Sequence, residues 1–413
     1  MSNTPKLRFL EFKGEWEEKK LNSIFTKITQ RNSDNQNSNV ITNSATEGLV
    51  SQRDYFDKDI ANKDKTDNYF IIKNGDFVYN PRKSSAAPYG PFTQYKLLND
   101  GIVSPLYLCL RKNNSEVESN YLENYFKTTC WHQYIYENGS SGARHDRVSI
   151  HDDVLLVMPI KVPSLPEQQK IADFLSNVDS IITSETKILN TLQKKKKALM
   201  QKLFTRQLRF KSDDETDFPA WEEKKLGEVC EVTKLAGFEF TEYVRYKDSG
   251  KIIALRGLNV KNGRLVLDDV KYIDDSNLDK LSRSKLYKND ILFTYIGTVG
   301  QVAVIHEDNR YYLAPNVSRL RIKDANLISS FLMYQLSDLR FYKKRIYPLI
   351  ASSSQPALSM ENIRLFKIQV PSKSEQQKIA DCLSSIDSLI QTQQKVVTTW
   401  QQRKKALLQQ MFV

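Results

Sequence analysis

The sequence predicts an α/β protein made twice over: two mixed α/β domains, each followed by a long helix of coiled-coil period. Three observations carry this expectation. Glu15-Trp16-Glu17-Glu18-Lys19-Lys20-Leu21 returns as Ala220-Trp221-Glu222-Glu223-Lys224-Lys225-Leu226, 205 positions later. Val162 to Ile182 returns as Val370 to Ile390, 208 positions later, with 15 of 21 residues identical. Between these blocks lie stretches of short apolar runs that share only faint echoes, such as Ser104-Pro105 with Ala314-Pro315 and Leu110-Arg111 with Leu320-Arg321. A constant frame with variable filling is a pair of like domains with unlike surfaces.

Each domain is read from its punctuation. Tyr69-Phe70-Ile71-Ile72, Asp76-Phe77-Val78-Tyr79 and Leu106-Tyr107-Leu108-Cys109-Leu110 are β-rich runs bounded by Asn, Gly and Pro. Residues 252–255, 291–295 and 302–305 are their counterparts. One helical segment is expected in each copy, about 119–136 and 327–345, then a strand at 159–163 and 366–371. The divisions are 1–163, a first domain with its entry segment; 164–207, the first helix; 208–371, a second entry segment and domain; and 372–413, the second helix. Ser164-Leu165-Pro166-Glu167 and Ser372-Lys373-Ser374-Glu375 fit a capping box, in which Ser and Glu satisfy free N–H groups reciprocally.

The helices keep apolar residues at alternating spacings of three and four, the coiled-coil period. Ile171, Leu175, Val178, Ile182, Leu189, Leu192 and Leu199 form one seam; Ile379, Leu383, Ile386, Ile390, Val397, Trp400 and Leu407 form the other. Even the polar interruptions match, Glu185 with Gln393 and Lys196 with Lys404. At 35–40 residues each helix would reach ~50–60 Å at 1.5 Å per residue, about 15 base pairs of duplex. The alternative is two helices that each pack on their own domain.

Composition narrows the class. With 413 residues, 40% hydrophobic and 10% aromatic, the chain suits a folded soluble protein. Its formal charge of +12 favours a polyanionic partner, although a basic protein without one has the same balance. Cys109, Cys130, Cys230 and Cys382 form no C-x-x-C pair, which points to a reduced compartment. Met1 to Arg8 carries no apolar leader, and no run reaches the eighteen or so apolar residues of a membrane span. A cytoplasmic protein with no membrane partner is expected.

The doubled signature Pro163-Ser164-Leu165-Pro166-Glu167-Gln168-Gln169-Lys170-Ile171-Ala172 and Pro371-Ser372-Lys373-Ser374-Glu375-Gln376-Gln377-Lys378-Ile379-Ala380 resembles the specificity (S) subunit of Type I restriction–modification systems, the HsdS family. So do the doubled entries at Trp16 and Trp221, and the like helix ends at 196–204 and 404–412. The resemblance covers essentially the whole chain. It implies two target recognition domains, each reading one half of a split sequence in double-stranded DNA. It implies that the long helices form an antiparallel pair, related by a pseudo-two-fold axis, which fixes the gap between half-sites. Two modification (M) subunits with adenine methyltransferase chemistry would dock on the helices, and two restriction (R) subunits would complete the complex. S-adenosylmethionine, ATP and Mg would belong to those partners, with no cofactor on this subunit. Ser176, Ser180, Thr183, Ser384, Ser385 and Ser388 are small polar residues, either covered by a partner helix or simple solvated positions.

Chemistry of its own is not expected. There is no N-P-P-[YF] or D-P-P-Y tetrapeptide to polarise an adenine amino group, and no G-x-x-x-x-G-K-[ST] loop. His132, His145, His151 and His306 show no metal spacing. The subunit is therefore read as a binding module, not an enzyme. Base edges and phosphates need Arg, Lys, Ser, Thr and Gln. In the first domain the DNA-contact candidates are Arg82, Lys83, Ser84 and Ser85, with Ser140, Ser141, Arg144, His145 and Arg147 in a Gly/Ser-rich loop. In the second they are Arg256, Arg283, Lys285, Thr298, Ser353, Ser354 and Gln355. The competing function is a coiled-coil adaptor joining two protein-binding domains, with the charge serving solubility. A self-sufficient DNA methyltransferase is opposed by the missing motifs.

Overall fold

The computed structural model describes residues 4–55, 66–141, 146–350 and 356–413. The chain forms two compact units. The first is Met1–Thr186 with Lys395–Val413; the second is Lys187–Gln394. The division runs through both long helices, so each unit owns the start of one and the end of the other.

The first unit is built on a four-stranded antiparallel sheet in the order Phe25–Lys27, Leu108–Lys112, Phe77–Tyr79, Phe92–Gln94. Its central strands are buried on both faces, as their unbroken apolar sequence requires. The hairpin Ile41–Ser44 with Gly48–Ser51 and the pair Phe70–Ile72 with Gly101–Val103 close a smaller core around Ile72, Val78 and Tyr95. The second unit repeats the main sheet as Cys230–Lys234, Val317–Ile322, Ile291–Thr294, Val302–Val304. Its smaller sheet differs, with Ile253–Leu255 parallel to Tyr311–Leu313 and antiparallel to Lys271–Tyr272. Frame and filling thus separate in space as they do in sequence.

The same ion pair locks both main sheets. Arg111 grips Asp76 with two bonds of 2.8 and 2.7 Å, and Arg321 grips Asp290 with the same two lengths. Each aspartate enters its strand after a left-handed residue, Gly75 or Asn289, the types that tolerate positive φ. The entry segments also match: Glu17–Lys20 pairs with Pro159–Val162, and Glu222–Lys225 with Lys367–Val370 in the same register.

Single helices at 119–136 and 327–345 are not what forms. Ser119–Phe126 stops, and a second helix runs from His132 to Asn138. The break, 127–131, contains Thr128, whose hydroxyl donates to the Tyr125 carbonyl at 2.6 Å and competes with the helical ladder. In the other copy Ser329–Ser337 ends at Asp338, whose extended backbone starts a new turn and whose carboxylate accepts from Phe341 N–H. A π-helical turn, Tyr342–Ile346, follows.

The long helices are Leu165–Phe204 and Lys373–Met411. In the first unit Ile171 and Leu175 share a core with Leu408, Met411 and Phe412. In the second, Met200 and Leu203 share a core with Ile379 and Leu383. The start of one helix meets the end of the other, so the pairing is antiparallel within each unit. No helix among the described residues is long and apolar enough to cross a membrane.

Candidate nucleic-acid interface

The doubled Glu-Gln is a structural knot. Glu167 is 1% exposed; it accepts from Arg8 Nε and Nη2 at 2.8 Å each and from the Trp16 indole at 3.4 Å. Glu375, fully buried, accepts from Arg209 at 3.0 and 2.7 Å and from Trp221 at 3.0 Å. Gln168 donates to the carbonyls of Pro163 and Glu116 and accepts from Glu118 N–H. Gln376 does the same with Pro371, Asn326 and Ile328. The reciprocal capping box is corrected accordingly: Ser372 Oγ accepts from Glu375 N–H at 3.4 Å, but both carboxylates turn to the Arg and Trp of the entry segments. Two charge-assisted bonds outweigh one bond to a neutral N–H.

The seam residues are buried or half-buried along both helices, with Ile171, Leu175, Val178, Leu189, Ile379, Leu383 and Val397 buried and Ile182, Leu192, Leu199, Ile386, Ile390, Trp400 and Leu407 half-buried. The two lysine breaks have partners on the other helix. Lys404 binds Asp179, and Lys196 binds both oxygens of Asp387 at 2.6 and 2.8 Å. Asp387 also accepts from the Tyr334 hydroxyl at 2.8 Å, and Arg264 stands 3.7 Å away. Burial first, then the Asp387 charge, pushes the Tyr334 phenol well above its usual range. Ser176, Ser180, Thr183, Ser384, Ser385 and Ser388 are exposed.

In the first unit the candidate stretches meet. Arg82 bridges Arg147 in antiparallel fashion, Lys83 N–H donates to the Asp146 carbonyl at 2.8 Å, and Val148 N–H donates to Pro81 at 2.9 Å. Ser140-Ser141 pairs with Val148-Ser149. Arg82 is exposed and lies 3.6 Å from Asp146; Ser84 and Ser85 form an exposed turn, Lys83 and Arg147 are half-buried, and Ser140 is exposed. Arg144 and His145 lie outside the described residues. Beneath this tip the Tyr79 hydroxyl donates to the Tyr89 carbonyl, and Tyr89 packs on His132 at 4.9 Å. Burial lowers the His132 pKa, which favours the neutral ring.

The second unit has the corresponding tip with other residues. Counted from the paired sheet strands, Ile296 stands where Arg82 stands, and it bridges Ala357. Ser353, Ser354 and Gln355, just before Ala357, lie outside the described residues. Beside the tip opens a cavity of about 780 Å³. Arg256 and Thr298 line it, together with Phe240, Tyr246, Lys261, Asn262, Gln301 and Asn316. Arg256 is held by Asp269 at 2.7 Å, and its buried Nε has no hydrogen-bond partner among the described residues. Arg283 and Lys285 are elsewhere. Their carbonyls accept from Arg319, which is 2% exposed and also donates to Glu231 at 2.8 Å. Burial, and then Arg321, lower the Arg319 pKa. The backbone at 283–285 therefore helps to hold a buried arginine of the sheet. Sequence reasoning left one feature unmarked, the cations Arg340, Lys343, Lys344 and Arg345. The signal is a run without an acid from 339 to 350, most of which falls inside the helical segment expected at about 327–345.

These paired frames define a class. Residues 13–194 and 220–399 each match the Type I restriction modification DNA specificity domain. The chain belongs to that family, and it is a Type I restriction–modification specificity subunit. It is 26% identical over 319 residues to the Type I restriction enzyme MjaVIII specificity subunit of Methanocaldococcus jannaschii, covering 75% of this chain and 72% of the relative. It is 27% identical over 128 residues to the EcoBI specificity subunit of Escherichia coli, covering 30% and 26%. The fold is like that of the Type I S subunit from M. genitalium, with a TM-score of 0.56 at 15% identity over 99% of both chains. It is also like a chain from a Type I restriction–modification assembly, with a TM-score of 0.57 at 15% identity over 97% and 98%.

Proposed function

We propose that each unit reads one half of a bipartite sequence in double-stranded DNA, and that the two long helices set the number of base pairs between the halves. One observation carries this reading: two like frames end in equivalent bridges with unlike residues, Arg82 with Arg147 in one and Ile296 with Ala357 in the other. A shared frame gives both units one way to approach a duplex; different tips give each its own base preference. In this reading Arg82, Lys83, Ser84, Ser85, Ser140 and Arg147 face the first half-site. Arg256 and Thr298, at the mouth of the cavity, face the second. Arg283, whose side chain is exposed, and Lys285 stay candidates for the same half-site outside the cavity lining, while their carbonyls hold Arg319.

The exposed faces of the helices are proposed as seats for two modification subunits, with two restriction subunits completing the complex. Methyl transfer from S-adenosylmethionine, and the ATP and Mg chemistry, would sit on those partners. The test is duplex binding at rising salt, with and without the cognate methyltransferase subunit. We expect steep weakening with salt and a gain in sequence preference when the partner is present. Binding that ignores both salt and partner would overturn the reading.

A further inference from the structure

We propose that the helix Leu339–Leu349 of the second unit is a docking element for the DNA phosphate backbone, and that the corresponding helix of the first unit, His132–Asn138, does not share this role. This rests on the reading of the units as DNA binders. The helix consists of Leu339–Phe341, the π-turn Tyr342–Ile346 and the turn Tyr347–Leu349. It is anchored on one side: Ile346 is fully buried, and a Cβ on Gly300 would meet the Tyr342 ring at 3.0 Å. It therefore packs on the same turn that carries Thr298 and Gln301 to the cavity. Its other side shows Arg340, Lys343, Lys344, Arg345 and Tyr347 to solvent. Arg345 stands 3.7 Å from Glu223, while Lys343 and Lys344 form no ion pair among the described residues.

The internal repeat supplies the comparison. Ile135, 1% exposed, is the buried isoleucine of the second helix in the first unit, as Ile346 is in the second unit, and each is followed by an exposed tyrosine, Tyr136 at 73% and Tyr347 at 66%. The position of the helix is thus shared, and so is its bare aromatic. The charge is not shared: residues 129–138 hold no Lys or Arg and include Glu137. Four cations beside a candidate base-reading cavity, without an acid in their own segment, complement a row of phosphates. An ammonium suits this as a point charge that reads no sequence. The second unit would therefore supply more of the sequence-independent affinity, and the first would rely more on its tip.

The test uses the full chain assembled with its methyltransferase subunit, and measures affinity for cognate and random duplexes across salt. Lys343→Gln with Lys344→Gln should lower the magnitude of the log-affinity against log-salt slope by about 1.8, at ~0.9 per phosphate contact. Between 50 and 200 mM salt that is about tenfold less weakening, and it should be equal for both duplexes. Lys343→Arg with Lys344→Arg should keep the parent slope, and Gln133→Lys in the first unit should raise it by about 0.9. A parent that binds with sequence preference, with an unchanged slope in the Gln variant, overturns this inference and leaves the reading of the units intact. A parent with no salt-dependent duplex binding overturns both.

Discussion

At the residue scale, the two glutamates carry the frame. Glu167 and Glu375 fall at the same place in the two copies, 208 positions apart, and repetition made them visible. Their partners were not, because Arg8 and Trp16 lie more than 150 residues before Glu167, and Arg209 and Trp221 as far before Glu375. A local rule reads Ser-x-x-Glu as a cap; only the folded chain shows that the carboxylate has stronger donors. Glu375→Ala would strand the Arg209 guanidinium and the Trp221 indole, and should cost about 3 kcal/mol in urea unfolding of the full chain, since breaking one side of a buried pair is expensive. A loss below about 1 kcal/mol would refute that assignment. A second residue-scale expectation concerns Cys230, whose thiol burial pushes up to about 12. Its thiolate is scarce at pH 8, so iodoacetamide should label it far more slowly in the native chain than after unfolding. Equal rates would contradict the burial argument.

At the scale of elements, the helix seam was legible because spacing is local, and the pairing of Lys196 and Lys404 was not. Asp179 and Asp387 stand one position after Val178 and Ile386, off the apolar seam, so no heptad rule marks them. The two ion pairs are equivalent by the repeat but unequal in setting. Asp179 is 47% exposed and Asp387 is 18% exposed, with Tyr334 and Arg264 beside it. Asp179→Asn should therefore cost less than about 1 kcal/mol, as exposed pairs do. Asp387→Asn, which weakens three contacts in a drier place, should cost about 2–3 kcal/mol. Chemical denaturation of both variants decides it; equal losses would mean that the shared neighbours of Asp387 contribute nothing. The broken helices after Phe126 and Ser337 were illegible for a related reason, since Thr128 and Asp338 act through hydrogen bonds that apolar periodicity does not register.

At the scale of the molecule, the doubling was plain in the sequence and so was the α/β class of each unit. One strand of each smaller sheet was legible, within 69–72 and 252–255, but its partners were not, because strands of two to four residues carry no period of their own. Composition marked the stretches at 82–85 and 139–147, and the antiparallel bridge between Arg82 and Arg147 joins them where they are described. In the second unit composition marked residues of two kinds, cavity-lining Arg256 and Thr298 and sheet-holding Arg283 and Lys285, which only packing separates.

The central claim is that the helix pair measures and the two tips read. Its most direct test inserts one heptad after Asn190 and another at the facing turn near Gln393, and sequences the methylated sites of a host expressing the chain with its methyltransferase subunit. Seven residues add ~10 Å, close to three base pairs. We expect two unchanged half-sites separated by about three more base pairs. A changed half-site with an unchanged gap would contradict it.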